Sequence, residues 1–155
     1  MLRPIAAALL CIISLPVLAQ DKVVDFATDD AEMNAAIAKA RETLPQFWER
    51  LAAPAANEDG FSLKLAISDG INTEHLWCGY IEGDADKANC IIDNQPVYVQ
   101  VVAYGEGVDV DPADISDWLY YRDGRIVGGQ TLRDMLPYLP KKEAARLAAQ
   151  LEPEE

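Results

Sequence analysis

The sequence predicts an α+β domain: an antiparallel sheet of about five or six strands, with an N-terminal helix and C-terminal helices packed on one face. Three observations carry this. Apolar residues recur at helical spacing before Ala53 and in strict alternation after Gly60. The alternating runs are separated by short turn sequences, which favour antiparallel pairing between neighbours. A helical pattern returns after the last hairpin, giving a helix–strands–helix order.

The first helix is expected from Asp29 onward. Asp29-x-x-Glu32 reads as a capping box, and Met33, Ile37, Ala40 and Leu44 then follow one face. Pro45 should kink or restart the helix. Phe47, Trp48 and Leu51 continue the apolar face, the aromatic pair as core packing. Asn57 to Gly60 reads as a turn.

Phe61 to Ser68 alternates as a half-buried strand. Thr73 to Ile81 and Asn89 to Ile92 read as the second and third strands. Val97 to Ala103, rich in β-branched residues, reads as a fourth. Asp93-Asn94-Gln95-Pro96 turns the chain before it; Gly105-x-Gly107 and Asp111-Pro112 break the pattern after it.

The most strongly specified stretch runs from Asp114 to Arg133. Asp123-Gly124 between two alternating runs predicts a solvent-exposed type I′ hairpin turn, which needs positive φ at both positions. Gly128-Gly129 lets the backbone change direction. Thr131 is the expected cap of a helix beginning at Leu132, with Asp134 three residues on. Trp118 is expected to be substantially buried. Pro140 to Leu151 closes the chain as a small amphipathic helix with Pro140 in its first turn.

The chain begins with a secretory signal sequence. Arg3 supplies the positive end, residues 5–18 the apolar run, and Val17-Leu18-Ala19 the small residues a signal peptidase reads. Residues 1–19 are therefore expected to be removed, with cleavage after Ala19 and secretion or a periplasmic location. Cys11 lacks the small preceding residue of a lipidation site. The organisation that follows is a loose lead at 20–28, one domain at 29–151 and an acidic tail at 152–155. No segment of the mature chain is apolar enough to span a bilayer.

Of 155 residues, 26 are acidic and 13 basic; residues 1–19 hold one basic and no acidic residue, so the net charge moves from −13 to −14 on cleavage. Such a charge argues against nucleic acid and anionic membrane as partners. It leaves a cationic protein or small molecule open.

Cys78 and Cys90 remain as an even pair in a chain sent to an oxidising compartment. A turn centred on Asp84 would set them directly opposite each other, within disulfide range.

Several pieces together are similar to one known family. Asp117-Trp118-x-Tyr120, Asp123-Gly124, Gly128-Gly129 and Thr131-x-Arg133 resemble the signature of the YegJ-like family of bacterial proteins, domain of unknown function 2314. Upstream, Ala40-Arg41-x-Thr43-Leu44-Pro45-x-Phe47 and Glu74-His75-x-Trp77 resemble it too. The resemblance spans roughly Met33 to Pro140, and it rests on order and spacing together. It implies a fold and brings no established activity.

The residues themselves complete no catalytic set. His75 is the one histidine. On a strand it shares a face with Trp77, while Glu74 points the other way. His75 is therefore a structural residue or a general base, with no local carboxylate partner. Gly-x-Ser-x-Gly, the Walker pattern and a full dinucleotide fingerprint are absent. Asp109-x-Asp111 and Asp84-x-Asp86 begin like calcium loops and then lose the pattern.

No cofactor, metal site or catalytic residue is thus assigned. What remains is a binding set: Glu74, His75, Trp77, Asp117, Trp118, Tyr120 and Arg133. A non-catalytic binding module fits best. The alternatives are a hydrolase or transferase using His75 with a carboxylate brought close by folding, and an antitoxin- or inhibitor-like protein whose acidic surface covers a basic partner.

Overall fold

The computed structural model describes residues 31–153. The expected signal sequence, the lead, Cys11, Asp29 of the capping box and the last two residues of the acidic tail lie outside the described residues. One helix, α1 (Ala31–Ala52), precedes six strands: β1 (Glu58–Ser68), β2 (Thr73–Gly83), β3 (Ala88–Ile92), β4 (Gly107–Val110), β5 (Ile115–Arg122) and β6 (Arg125–Gly128). Helices α2 (Gln130–Met135) and α3 (Lys141–Gln150) follow, with a short 3-10 turn between them. The strands form one antiparallel sheet in the order β4-β3-β2-β1-β5-β6. The α+β class read from the sequence holds.

Helix α1 packs on one face through Ala40 and Phe47, both fully buried. They meet Leu63, Leu65, Leu76, Ile92 and Trp118 from four strands. Phe47 sits edge-on to Phe61 and 5.7 Å from the Trp118 ring, and Phe61 stacks on Tyr120 at 4.9 Å. The Trp118 indole N–H donates to Ala40 O at 2.9 Å, which fixes the helix against β5. Trp118 is 4% exposed, as expected.

Placement of the remaining helices departs from the expectation of a single covered face. Leu119 points away from Trp118 by strand alternation. It gathers a second cluster with Ile126, Leu151, Leu132 and Leu147. The C-terminal segment therefore closes over the far face, and Leu151 forms a parallel bridge with Ile126.

Helix α1 runs on through Pro45 instead of restarting there. Proline removes one backbone bond, and the buried Ala40–Phe47 face holds the helix across the gap. Strand β1 begins at Glu58, within the expected turn, because Gly60 at φ 61° admits a bulge opposite β5.

The expected fourth strand at Val97 to Ala103 is irregular loop, and β4 lies later. The backbone N–H groups of Val97, Tyr98 and Val99 are drawn instead onto the Glu74 carboxylate, at 2.9–3.2 Å. A charged acceptor with converging amides is stronger than ordinary ladder bonds, so the segment wraps rather than pairs.

Thr131 is likewise not a helix cap. Gly129, at φ 65°, occupies that position without a side-chain bond, and Thr131 lies inside α2.

Cys78 and Cys90 are bonded, with Cα atoms 5.7 Å apart. They are not directly opposed: Cys78 faces Ile92, and a bulge follows before Glu82 meets Asn89. Tyr80, at φ 50°, sits in that bulge. The bridge is diagonal because the turn is centred beyond Asp84. In the hairpin turn Asp123 and Gly124 both have positive φ and are exposed, as expected.

Two outcomes follow from this packing. Intact mass after alkylation without reductant should show no label on Cys78 or Cys90, and reduction of this loop with separation 12 should lower stability by roughly 2–3 kcal/mol. Two added labels would refute the bridge. Gly124→Ala meets no atom within 4 Å and carries only the positive-φ penalty, about 1–2 kcal/mol. Gly128→Ala adds a Cβ 2.5 Å from Trp118 O and 2.6 Å from its ring, so its cost should be larger by about 1–3 kcal/mol. Equal denaturation midpoints for the two variants would mean that β6 moves off Trp118 without penalty.

Candidate functional site

The seven residues expected to form a binding set fall into separate places. Trp118, Tyr120 and Arg133 line one groove of about 660 Å³ between α1 and the β5–β6–α2 edge. Glu74 is spent on the Val97–Val99 amides. His75, Trp77 and Asp117 lie on the sheet face opposite Trp118, beside Lys64.

The far face is held by a hydrogen-bonded chain. Asp117, fully buried, accepts from Trp118 N at 2.8 Å, Gln130 N at 3.1 Å, Thr131 N at 2.8 Å and the Thr131 hydroxyl at 2.6 Å. The Lys64 ammonium donates to that hydroxyl at 3.0 Å and stands 5.4 Å from the Trp77 ring centroid. Burial pushes the Asp117 carboxyl up, against the pull of the Thr131 donors, and pushes the Lys64 ammonium down. Asp117 thus does the capping that the sequence had assigned to Thr131, across 13 and 14 residues of chain.

His75 stands at the margin of this face, with part of its surface open and its Nδ1 side enclosed against Ser116. The Ser116 hydroxyl donates to Lys64 O at 3.1 Å, so it accepts from His75 Nδ1–H at 2.8 Å. That places the neutral ring's proton on Nδ1 and leaves Nε2 as the acceptor. Burial, then the positive charges of Lys64 and Arg41, hold the ring below its ordinary pKa. Glu74 is turned away, as strand alternation required. Of the two calcium-like sequences, Asp84 of one accepts from the amides of Asp86 and Lys87, and Asp111 of the other accepts from the amide of Ala113; both act as turn caps.

The groove is built from non-adjacent segments. Lys39, Thr43, Gln46 and Arg50 come from successive turns of α1, spaced to share a side. Opposite them stand Arg122 of β5, Gln130 and Arg133 of α2, and Glu152. Arg122 is held in one orientation by Glu58 at 3.1 Å, by Glu152 at 3.3 Å, and by donation to the Tyr120 hydroxyl at 2.6 Å. Arg133 donates to Gly128 O and Glu152 O. Four basic and two acidic side chains, the latter Glu49 and Glu152, line the groove of a chain whose net charge is −13. The acidic balance had left a cationic partner open, whereas the side chains lining the groove are mostly basic.

Arg122, Arg50 and Lys39 were not singled out in the sequence. Nothing local marks them, since their significance arises when α1 lies beside β5.

A family model described as "Uncharacterized protein conserved in bacteria (DUF2314)" matches residues 30–151. The uncharacterized protein YegJ of Escherichia coli (strain K12) is 35% identical over 131 residues, 84% of this chain and 84% of that protein. A Neisseria meningitidis serogroup B protein whose name refers to ankyrin repeats is 30% identical over 122 residues, 74% of this chain and 48% of that protein. The chain thus spans about half of that second relative. No solved structure matches.

The His75 environment sets a pH dependence. Its folded pKa lies below 6.5, so as the pH falls past 6.5 the unfolded chain binds a proton that the native ring resists. Stability should therefore fall with acidification through that window. Melting temperatures at stepped pH between about 7 and 5 should show a shallower decline for His75→Gln than for the parent. Parallel curves would mean that the ring titrates alike in both states.

Proposed function

The chain belongs to the DUF2314 family, and on that premise we propose that it is an exported, non-catalytic binding module whose ligand seats in the groove between α1 and the β5–β6 hairpin. Convergence carries the reading. Trp118, Tyr120 and Arg133, brought in from a strand and a helix, meet the polar side of α1 around one opening. Trp118 and Tyr120, 4% and 3% exposed, form a rigid floor, and the exposed polar side chains of α1 beside an oriented guanidinium are the groups a ligand would meet. Export is supported by the apolar run and small residues at 1–19 and by the Cys78–Cys90 bridge, which suits an oxidising compartment.

A catalytic reading centred on His75 has less support. Its ring is engaged by a serine hydroxyl that itself donates to backbone, so Ser116 is oriented away from a nucleophile's role.

The groove reading is tested by filling it. Gln46, exposed on α1, faces the opening, and Gln46→Trp should occupy it without disturbing the core. Bait protein exposed to native envelope extract should capture a species that Gln46→Trp bait loses, with circular dichroism and melting temperature unchanged. Equal capture by both baits would move the contact elsewhere. Turnover of an ester, peptide, phosphate or glycoside panel, abolished by His75→Ala with the fold intact, would replace the binding reading with the catalytic one.

A further inference from the structure

We infer that the groove takes an acidic peptide segment, one that lays carboxylates along the basic side chains of α1 and β5. This rests on the groove being the contact surface and names the chemistry of its occupant. The walls carry Lys39, Arg50, Arg122 and Arg133 against Glu49 and Glu152. The strongest indication is what the groove already does with its own chain. At the rim stands Glu152: its carboxylate meets Arg122 at 3.3 Å, and its backbone carbonyl accepts from Arg133 Nη2 at 2.7 Å.

One residue thus displays both halves of peptide recognition, a carboxylate on one guanidinium and a main-chain oxygen on the next. Planar guanidinium groups suit both acceptors. Gln46 and Gln130, further along the same walls, offer amide donors for more main-chain oxygens.

Arg122 is oriented before any partner arrives. Glu58 and the Tyr120 hydroxyl fix it from below, so an incoming carboxylate orders fewer side chains. Repulsion from the chain's acidic balance does not cancel the local attraction. At physiological salt, charges separated by more than about 8 Å are largely screened, while carboxylates inside the groove contact the basic groups directly.

The experiment uses fluorescently labelled Glu-rich, Gln-rich and Lys-rich peptides of one length, titrated by anisotropy at physiological salt. The Glu-rich peptide should bind, and the other two should not. Arg50→Glu should weaken it about five- to tenfold, through loss of an attraction and gain of a repulsion. Lys87→Glu, in the exposed β2–β3 turn, should leave it unchanged.

Equal binding of the Gln-rich peptide would overturn the inference, as would indifference to Arg50→Glu or to Gln46→Trp. If the Glu-rich peptide fails to bind while Gln46→Trp still abolishes capture from envelope extract, the acidic-peptide inference falls and the groove reading stands. If Gln46→Trp changes neither capture nor peptide binding, both fall.

Discussion

The buried carboxylate of Asp117 is the constraint from which the geometry follows. A carboxyl group with no exposure must collect hydrogen bonds, because leaving its oxygens unsatisfied costs several kcal/mol. Asp117 collects four, three of them from the first residues of α2. That requirement fixes where α2 starts, and it is why Gly129 must take a left-handed conformation to turn the chain toward the carboxylate. One residue along, Trp118 points to the opposite face and holds Ala40 of α1 by its indole N–H. Two adjacent side chains on β5 therefore position two helices. The groove between α1 and α2 is the space those two anchors leave.

The same strand explains how a strongly acidic chain presents a basic opening. Arg122 at the end of β5 is held by carboxylates from β1 and from the C-terminal segment, with Tyr120 beneath it. Arg50 and Lys39 reach the same space from α1. Bulk charge is a sum over the whole surface, whereas binding is governed by the groups within a Debye length of the ligand. The two can differ in sign, and the side chains that line this groove, four basic and two acidic, are of the opposite balance to the chain as a whole.

Much of the fold was legible because its signals are local. Asp123-Gly124 specifies its turn by backbone sterics alone, and the alternation of β1 and β2 follows from one buried face. The parts that could not be read all depend on distant partners. Thr131 has the composition of a cap, yet a carboxylate from β5 already supplies that function. Val97 to Ala103 has the composition of a strand, yet Glu74 captures its amides first. The cysteine pairing was legible from the even count and the turn between the two residues, while its register was not, because the bulge at Tyr80 has no sequence mark of its own. Within the site, Trp118, Tyr120 and Arg133 stood out by residue type. Arg122, Arg50 and Lys39 did not, since a surface cation is ordinary until another segment is laid beside it.

The capture of Val97, Tyr98 and Val99 by Glu74 also bears on how the protein survives at high concentration. The segment from Val97 to Tyr104 holds no charge and no proline, and Val97, Val101 and Tyr104 are all more than half exposed. An uncharged, β-prone run at the surface is the usual seed of cross-β stacking between molecules. Stacking of that kind needs consecutive backbone donors aimed outward in an extended chain. Three of those donors are turned inward onto one carboxylate, and Val99 is buried with them. Glu74, on a different strand, therefore withdraws three of the backbone donors that such stacking would require.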